Sequence, residues 1–342
     1  MIKITNKVSS FLTKHLSGLR QSFVTAVNKG VTHTFFSMRN LLIASALSLS
    51  VLFTAPIVTT LNRDPYTHAS SSLIQEKEPI KGQNISVLSW NVCFLPLATT
   101  NWEQGIKPWT ERLDQVAEKI LQEDADLVTL QEVYDSQAAQ KLTERLKEKY
   151  SHIYYNIGPK TLGVNSGLFV ASKFPLKNTR FTQHENKKID IDSFFVNKGF
   201  FDFEIYAGEN KIAHVFVTHL QHSTDDLHPL KIDQEIREQQ LKAIFTEMEK
   251  EDVPVLLVGD FNMPLKEYKA LKAQAKFQNF LIKKSKKTPK TFKGILNGKQ
   301  VDLTLDYALL GSKDSSVFLF TQVLPSTQSD HLPLKTTLSF PL

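Results

Sequence analysis

The order of apolar segments predicts an α/β protein in which two mixed β-sheets pack together and are flanked by helices. Helical and strand periods alternate along the chain, yet several strand-like runs follow one another directly, which favours mixed sheets. Four of the runs also end in acidic, amide or imidazole residues, as expected where loops leave a sheet and converge. Residues 85–90 open the first strand. Residues 111–122 set Leu113, Val116, Ile120 and Leu121 at helical spacing, with Thr110 as N-cap. Residues 127–130 form a short apolar run ending at Glu132, and Ala139, Leu142 and Leu146 mark a second helix. Residues 167–172, 201–206 and 213–218 follow as strands. A helix over 231–250 carries Ile232, Ile236, Ile244, Phe245 and Met248 on one side, and strands at 254–258 and 303–310 lead to the C-terminus.

At 342 residues the chain could hold two domains, but one large domain behind a leader fits as well. No Asp or Glu precedes Asp64, while Lys3, Lys7, Lys14, Arg20, Lys29, Arg39 and Arg63 give that stretch +7. The whole chain is +6, so residues 64–342 sum to −1 and the high pI belongs to the leader. Residues 41–61 are apolar and uncharged, long enough to span a bilayer with the N-terminus on the cytoplasmic side. The same segment also reads as an export signal, with 41–53 as its apolar region and Met38 as the start. A buried core helix is the bland alternative, and the basic, Ser- and Thr-rich first 40 residues also resemble a transit peptide. The expected division is a leader over 1–61, a polar linker over 62–83 and a folded domain over 84–342. That domain is expected on the non-cytoplasmic side, held by a single N-terminal helix or exported after cleavage. Cys93 is the only cysteine, so an internal disulfide is excluded and the fold rests on its core.

The motif segments are Ser89-Trp90-Asn91, Gln131-Glu132-Val133, Gly259-Asp260-Phe261-Asn262 and Ser329-Asp330-His331, with Thr218-His219 between the second and third. They bring carboxylate and amide oxygens suited to a hard divalent cation and two imidazoles suited to proton transfer. A site that holds a metal and moves protons beside it is what phosphate-ester cleavage requires. Each segment alone is weak: Glu132 and Asp260 could cap helices, and His219 could be a satisfied core histidine. Their joint order carries the weight.

In these motifs the chain resembles the endonuclease/exonuclease/phosphatase superfamily of metal-dependent phosphoesterases over residues 85–340. The resemblance implies a four-layered α/β sandwich with the site where both sheets end. It implies Glu132 as the principal metal ligand, joined by Asn91, and Asp330 as a second metal or charge-balancing carboxylate, with Mg2+ as cofactor and Mn2+ or another divalent cation as substitutes. It further implies His219 and His331 as catalytic imidazoles and Asp306 as the carboxylate paired with His331. Asp260 and Asn262 would orient the attacking water and hold the phosphate, and Asn165 would contact it. The basic residue usual before the Asp-Tyr pair is missing, since Thr304 and Leu305 stand there.

Within the superfamily the tilt is toward sphingomyelin. The Asn197-Lys198-Gly199-Phe200 segment and Thr218-His219-Leu220-Gln221 resemble motifs of neutral sphingomyelinases, which implies a phosphate contact for Lys198. Arginine is scarce after residue 64, with Arg112, Arg145, Arg180 and Arg237 alone, whereas nucleic-acid readers lean on it. Between Lys266 and Lys299 stand eleven lysines against one acid, Glu267; a solvated surface loop and a patch facing anionic lipid or a polyanion are both open. Phe201, Phe203 and Ile205 alternate like core residues, while Phe194 and Phe195 could dip into a bilayer interface. Cys93 reads as a small buried residue, and His68, His152, His184, His214 and His228 as structural or exposed. The expected activity is a Mg2+-dependent phosphodiesterase that releases ceramide and phosphocholine at a phospholipid membrane surface, with no obligate protein partner. The alternatives are a nuclease of the same fold and an inactive membrane-anchored binding module.

Overall fold

Strands buried along both faces need a layer on each side, and residues Ile85–Phe94 are buried at nine of ten positions. The computed structural model describes residues 66–71, 77–79, 82–96, 104–161, 164–185, 196–223, 229–274, 281–284, 290–296, 299–314 and 316–340. The chain divides into two units, Met1–Arg63 and Asp64–Leu342, and all described residues belong to the second. The strands of its first half are β1 (Thr67–Ser70), β2 (Ile85–Phe94), β3 (Leu127–Val133), β4 (His152–Tyr155), β5 (Phe169–Ser172), β6 (Lys177–Gln183) and β7 (Gly199–Ala207). The second half adds β8 (Asn210–His219), β9 (Val255–Asp260), β10 (Leu281–Lys284), β11 (Phe292–Leu296), β12 (Lys299–Leu303), β13 (Asp306–Ser312), β14 (Phe318–Val323) and β15 (Leu334–Ser339). The helices are α1 (Trp109–Glu123), α2 (Ser136–Leu146), α3 (Lys231–Met248) and α4 (Leu265–Gln274).

Seven strands form one sheet in the order β1-β4-β5-β3-β2-β15-β14, six form the other in the order β10-β13-β9-β8-β7-β6, and β11 and β12 pair as a separate hairpin. Period-two alternation divides each strand between two cores. Val87, Leu127, Val170, Phe201, Phe203, Val217 and Val258 fill the space between the sheets. Leu88, Trp90, Val128 and Leu130 face outward against Leu113, Val116 and Ile120 of α1 and Leu142 of α2. Phe216 and Leu257 face α3 through Leu241, Ile244 and Phe245. The result is helix, sheet, sheet, helix: the four-layer α/β sandwich.

Two parallel pairs, β2 with β3 and β8 with β9, sit at the centre of their sheets. Each runs the same way to a motif, so Asn91 stands opposite Gln131 and His219 opposite Asp260. Antiparallel β13 starts where β9 ends and sets Asp306 opposite Asp260. Functional residues thus gather beyond the carboxyl ends of parallel strands, the usual ligand position in α/β sheets. Glu132, Cys93 and Asn262 have φ of 60°, 51° and 49°. Glu132 and Cys93 are the penultimate residues of β3 and β2 and Asn262 lies just past β9, and a left-handed conformation costs about 1–3 kcal/mol for a non-glycine residue.

Several expectations change in detail. The 62–83 stretch read as a linker holds β1, which pairs with β4 at the sheet edge. Helix α1 starts at Trp109 after Pro108, and Thr110 lies inside it with no side-chain cap. Ile232, placed on the buried face of α3, is 51% exposed, because Asp233, Arg237 and Gln240 take the buried positions instead. The strand expected at 303–310 is two, broken at Thr304-Leu305. The Lys266–Lys299 run is not one loop: it contains most of α4, all of β10 and β11, and the start of β12. Among the described residues no helix is long and apolar enough to cross a membrane; segment 41–61, Phe194, Phe195 and His228 lie outside them.

Gly259 is the narrowest point of the design. Its φ is +144°, and a Cβ there would stand 1.9 Å from the Thr218 carbonyl oxygen. Gly259→Ala is therefore expected to cost more than about 1 kcal/mol and to displace His219 and Asp260 together. Urea unfolding should show the lower midpoint, and activity should fall further than the loss of folded protein explains.

Candidate active site

At the end of β9 the Asp260 carboxylate is held from two directions. Its Oδ2 accepts from Asn91 Nδ2 at 2.9 Å, and its Oδ1 accepts from the Asn262 backbone N–H at 2.8 Å. The two imidazoles flank it: His219 Nε2 lies 3.6 Å and His331 Nε2 3.7 Å from Asp260 Oδ2. The Asp306 carboxylate anchors His331 at Nδ1, 2.8 Å away. Glu132 Oε1 reaches to 3.9 Å from His219 Nε2, and its side chain is 23% exposed where those of Asp260 and His219 are 1% and 2%. Lys198 sits 3.0 Å from His219 Nε2 and donates to the Leu220 carbonyl at 2.6 Å. Asn262 Nδ2 donates to that same carbonyl at 3.1 Å.

Burial and charge set the two histidines apart. Burial, reinforced by Lys198, holds His219 well below its ordinary pKa, so the ring is neutral. Burial opposes the charge on His331 as well, but the Asp306 and Asp260 carboxylates outweigh it and hold that ring well above its usual value as an imidazolium. The Asp260 carboxyl is raised by burial first; His331 opposes this, while Asp306 adds to it. Burial also raises Asp330, with His331 opposing and Glu132 adding to the rise. His184, behind Lys198, is pushed down to about 3 by burial and by that lysine.

Glu132, His219 and Asp260 offer ligand atoms within 4.8 Å of one another. Carboxylates gathered in a buried, oxygen-rich cluster suit a hard cation, which would offset their repulsion. Asn91 Oδ1 accepts from the Cys93 N–H at 3.1 Å, and its second lone pair remains for a cation. These residues fit the expected divalent metal. A separate cluster of Glu204, His214 and Glu251 is already bridged by the Lys211 ammonium.

Nine of the ten expected site residues therefore join one network, directly or through Ser329, whose hydroxyl donates to the Asn91 carbonyl and to Asp330. Asn165 stands apart. It is fully buried, donates to Asn156 Oδ1 and accepts from the Gly167 N–H, adjoining the site through the Asn197 N–H at its carbonyl. Gln221 of the Thr-His-x-Gln motif packs into the scaffold, its N–H on Gln240 and its carbonyl on Arg237. Sequence reasoning missed four participants. Tyr134 places its hydroxyl 3.3 Å from His219 Nδ1, in space left by Gly167; its nearness to Glu132 was the available signal. Thr291 bonds the Leu305 and Asp306 N–H groups, and Phe292 packs edge-on against His331. Both were hidden in the lysine run. Arg112 donates to the Val92 and Cys93 carbonyls beside Asn91, which no side-chain pattern reveals.

Comparison with known proteins follows the same lines. The Endonuclease/Exonuclease/phosphatase family matches residues 88–331. Sphingomyelinase C 2 from Leptospira interrogans is 28% identical over 211 residues, covering 57% of this chain and 33% of that protein. The chain spans less than two thirds of the length of the curated relatives it matches. Among solved structures, SmcL superposes with a TM-score of 0.60 at 22% identity, over 75% of this chain and 99% of its own. A Staphylococcus aureus beta toxin variant with bound magnesium ions gives 0.58 at 22%, over 74% and 99%. With the family match running unbroken from the strand before Asn91 through to His331, the chain belongs to the Endonuclease/Exonuclease/phosphatase family, where its resemblance lies on the sphingomyelinase side.

Proposed function

We propose that the protein is a magnesium-dependent phosphodiesterase that hydrolyses sphingomyelin to ceramide and phosphocholine. The observation that carries this reading is Asp260 held between a neutral and a charged imidazole, beside the Glu132 and Asp330 carboxylates. When bound at Glu132, Asp330 and Asn91, the cation would polarise the phosphoryl oxygen and offset negative charge on it. Asp260, its carboxyl raised by burial and aimed by Asn91 and Asn262, accepts a proton from the attacking water. His331 is already protonated and steadied by Asp306, so it gives its proton to the leaving alkoxide. Lys198 and Asn262 hold phosphate oxygens, and neutral His219 keeps the lysine in place.

For the substrate, the sphingomyelinase relatives are one support and the arginines are another. All four after residue 64 are engaged within the fold: Arg112 with backbone carbonyls, Arg145 with Asp114, Arg180 with Asp202 and Glu247, Arg237 with Glu267. A nucleic-acid enzyme would turn some of them to phosphates. The apolar 41–61 segment would bring the domain to a phospholipid surface on the non-cytoplasmic side, by tether or by export. One observation favours a nuclease instead: exposed Lys290, Lys293 and Lys299 flank the β11–β12 hairpin whose base touches His331.

Three outcomes test the reading. Glu132→Gln should remove most metal-dependent turnover while the unfolding midpoint stays put; near-normal turnover at ordinary Mg2+ would sink the ligand assignment. His219→Ala and His331→Ala should each lower kcat by on the order of 10²-fold, Asp306→Asn by less, and His152→Ala not at all. Comparable losses in all four variants would mean that general packing, not chemistry, explains them. Cleavage of sphingomyelin in neutral vesicles should depend weakly on salt, whereas a nuclease's DNA affinity falls log-linearly with it. Efficient DNA cleavage with a steep salt slope, and untouched sphingomyelin, would transfer the activity to the nuclease alternative.

A further inference from the structure

Arg112 lies in the first turn of α1 and is 4% exposed. Its guanidinium donates to four backbone carbonyls, one just ahead of its own helix and three on two remote segments. Nε bonds the Lys107 carbonyl at 2.7 Å, Nη1 the Val92 carbonyl at 3.0 Å and also that of Gln328, and Nη2 the Cys93 carbonyl at 2.7 Å. Val92 and Cys93 directly follow Asn91; Gln328 directly precedes Ser329-Asp330-His331. The guanidinium carbon also lies 5.3 Å from the Phe94 ring centre.

Both anchored segments lack regular pairing at this point. The β2–β3 register shifts between Asn91 and Phe94, Cys93 is left-handed, and residues 324–330 are irregular. Carbonyls withdrawn from water need donors, and the guanidinium supplies them at Val92, Cys93 and Gln328. A planar five-donor fork can serve several carbonyls at fixed angles, and a lysine ammonium cannot reproduce that geometry. The Ser329 hydroxyl on the Asn91 carbonyl, at 2.8 Å, and the Trp90 indole N–H on the His331 carbonyl, at 2.9 Å, join the same two segments on other sides.

We infer that Arg112 is a positioning residue for the metal site: its guanidinium sets the spacing between the loops carrying Asn91 and Asp330, so that their oxygens and those of Glu132 face one cation. The inference rests on the metal reading above and adds a residue whose own side chain need not touch metal or phosphate. Asn91 lies on β2 where its register with β3 breaks, Asp330 lies in the irregular stretch before β15, and the β2–β15 ladder pairs nothing beyond Ser89 and Leu334. The fork replaces the ladder where the ladder stops. Outer-shell partners of this kind typically change metal affinity or activity by about 10–100-fold when altered.

The test uses the full chain as wild type, Arg112→Lys and Arg112→Ala, with Arg145→Ala as a surface control. Mg2+ binding is measured by titration calorimetry and by the rise in Tm that Mg2+ produces, both independent of turnover. Arg112→Lys keeps the charge and is expected to weaken Mg2+ binding by about tenfold or more, to shrink the Tm rise, and to recover kcat as Mg2+ is raised. Millimolar guanidinium should restore Mg2+ binding to Arg112→Ala, and ammonium should not. Should Arg112→Ala fail to fold, Arg112→Lys alone decides. Wild-type Mg2+ affinity in Arg112→Lys, with only a lower Tm, would overturn the inference and leave the metal reading standing. Failure of the wild type to bind Mg2+ would overturn both.

Discussion

The hydrogen bond from Asn91 to Asp260 crosses from one sheet to the other, and the site depends on it. Asn91 lies near the end of a strand of the seven-stranded sheet and Asp260 ends one of the six-stranded sheet. Everything else in the cluster is referred to one of these two residues. His219 and Asp306 are placed by pairing with β9, while Glu132 follows β3, the parallel neighbour of β2. The apolar layer between the sheets fixes their separation, and the bond is made only if that layer packs to the right thickness. Core packing and site geometry are therefore one constraint: a methylene gained or lost between the sheets changes the gap that the bond must span.

Within that frame the protein makes two unlike histidines from one residue type. Both are buried and both approach Asp260, but His219 also faces a lysine and a tyrosine hydroxyl where His331 has the Asp306 carboxylate. Burial lowers both; Lys198 deepens this at His219, while Asp306 and Asp260 outweigh it at His331. The same low-dielectric surroundings that make a lone charge expensive amplify each partner, so a modest change of neighbour produces a large separation in proton affinity.

Much of this arrangement was legible in the sequence because strands bury residues at period two and turn functional groups out at their ends. The runs before Asn91, Glu132, His219 and Asp260 are real strands, and Phe201, Phe203 and Ile205 alternate into the core as their spacing implied. The edge strands β6 and β14 were not legible: KNTRFTQ and FLFTQV bury no residue fully, and β14 turns Phe318 and Phe320 to solvent while Leu319 and Val323 only half-bury against the core. Thr291 and Phe292 escaped for a different reason: their lysine-rich surroundings signal solvent, while the two residues themselves turn inward beneath the hairpin. The α3 face was misjudged at Ile232 because the helix buries Arg237, whose paired bonds to Glu267 satisfy a charge that periodicity alone assigns to solvent.

The Leu220 carbonyl receives both Lys198 and Asn262. Any amino acid at position 220 supplies that oxygen, so variation there is filtered by the size and shape of a fully buried side chain, never by the chemistry the position performs. A catalogue of tolerated substitutions would file Leu220 with the packing residues. An acceptor that two polar side chains share is in this way invisible to genetics; swapping the amide that follows for an ester, which weakens the carbonyl without altering the side chain, is the kind of change that would expose it.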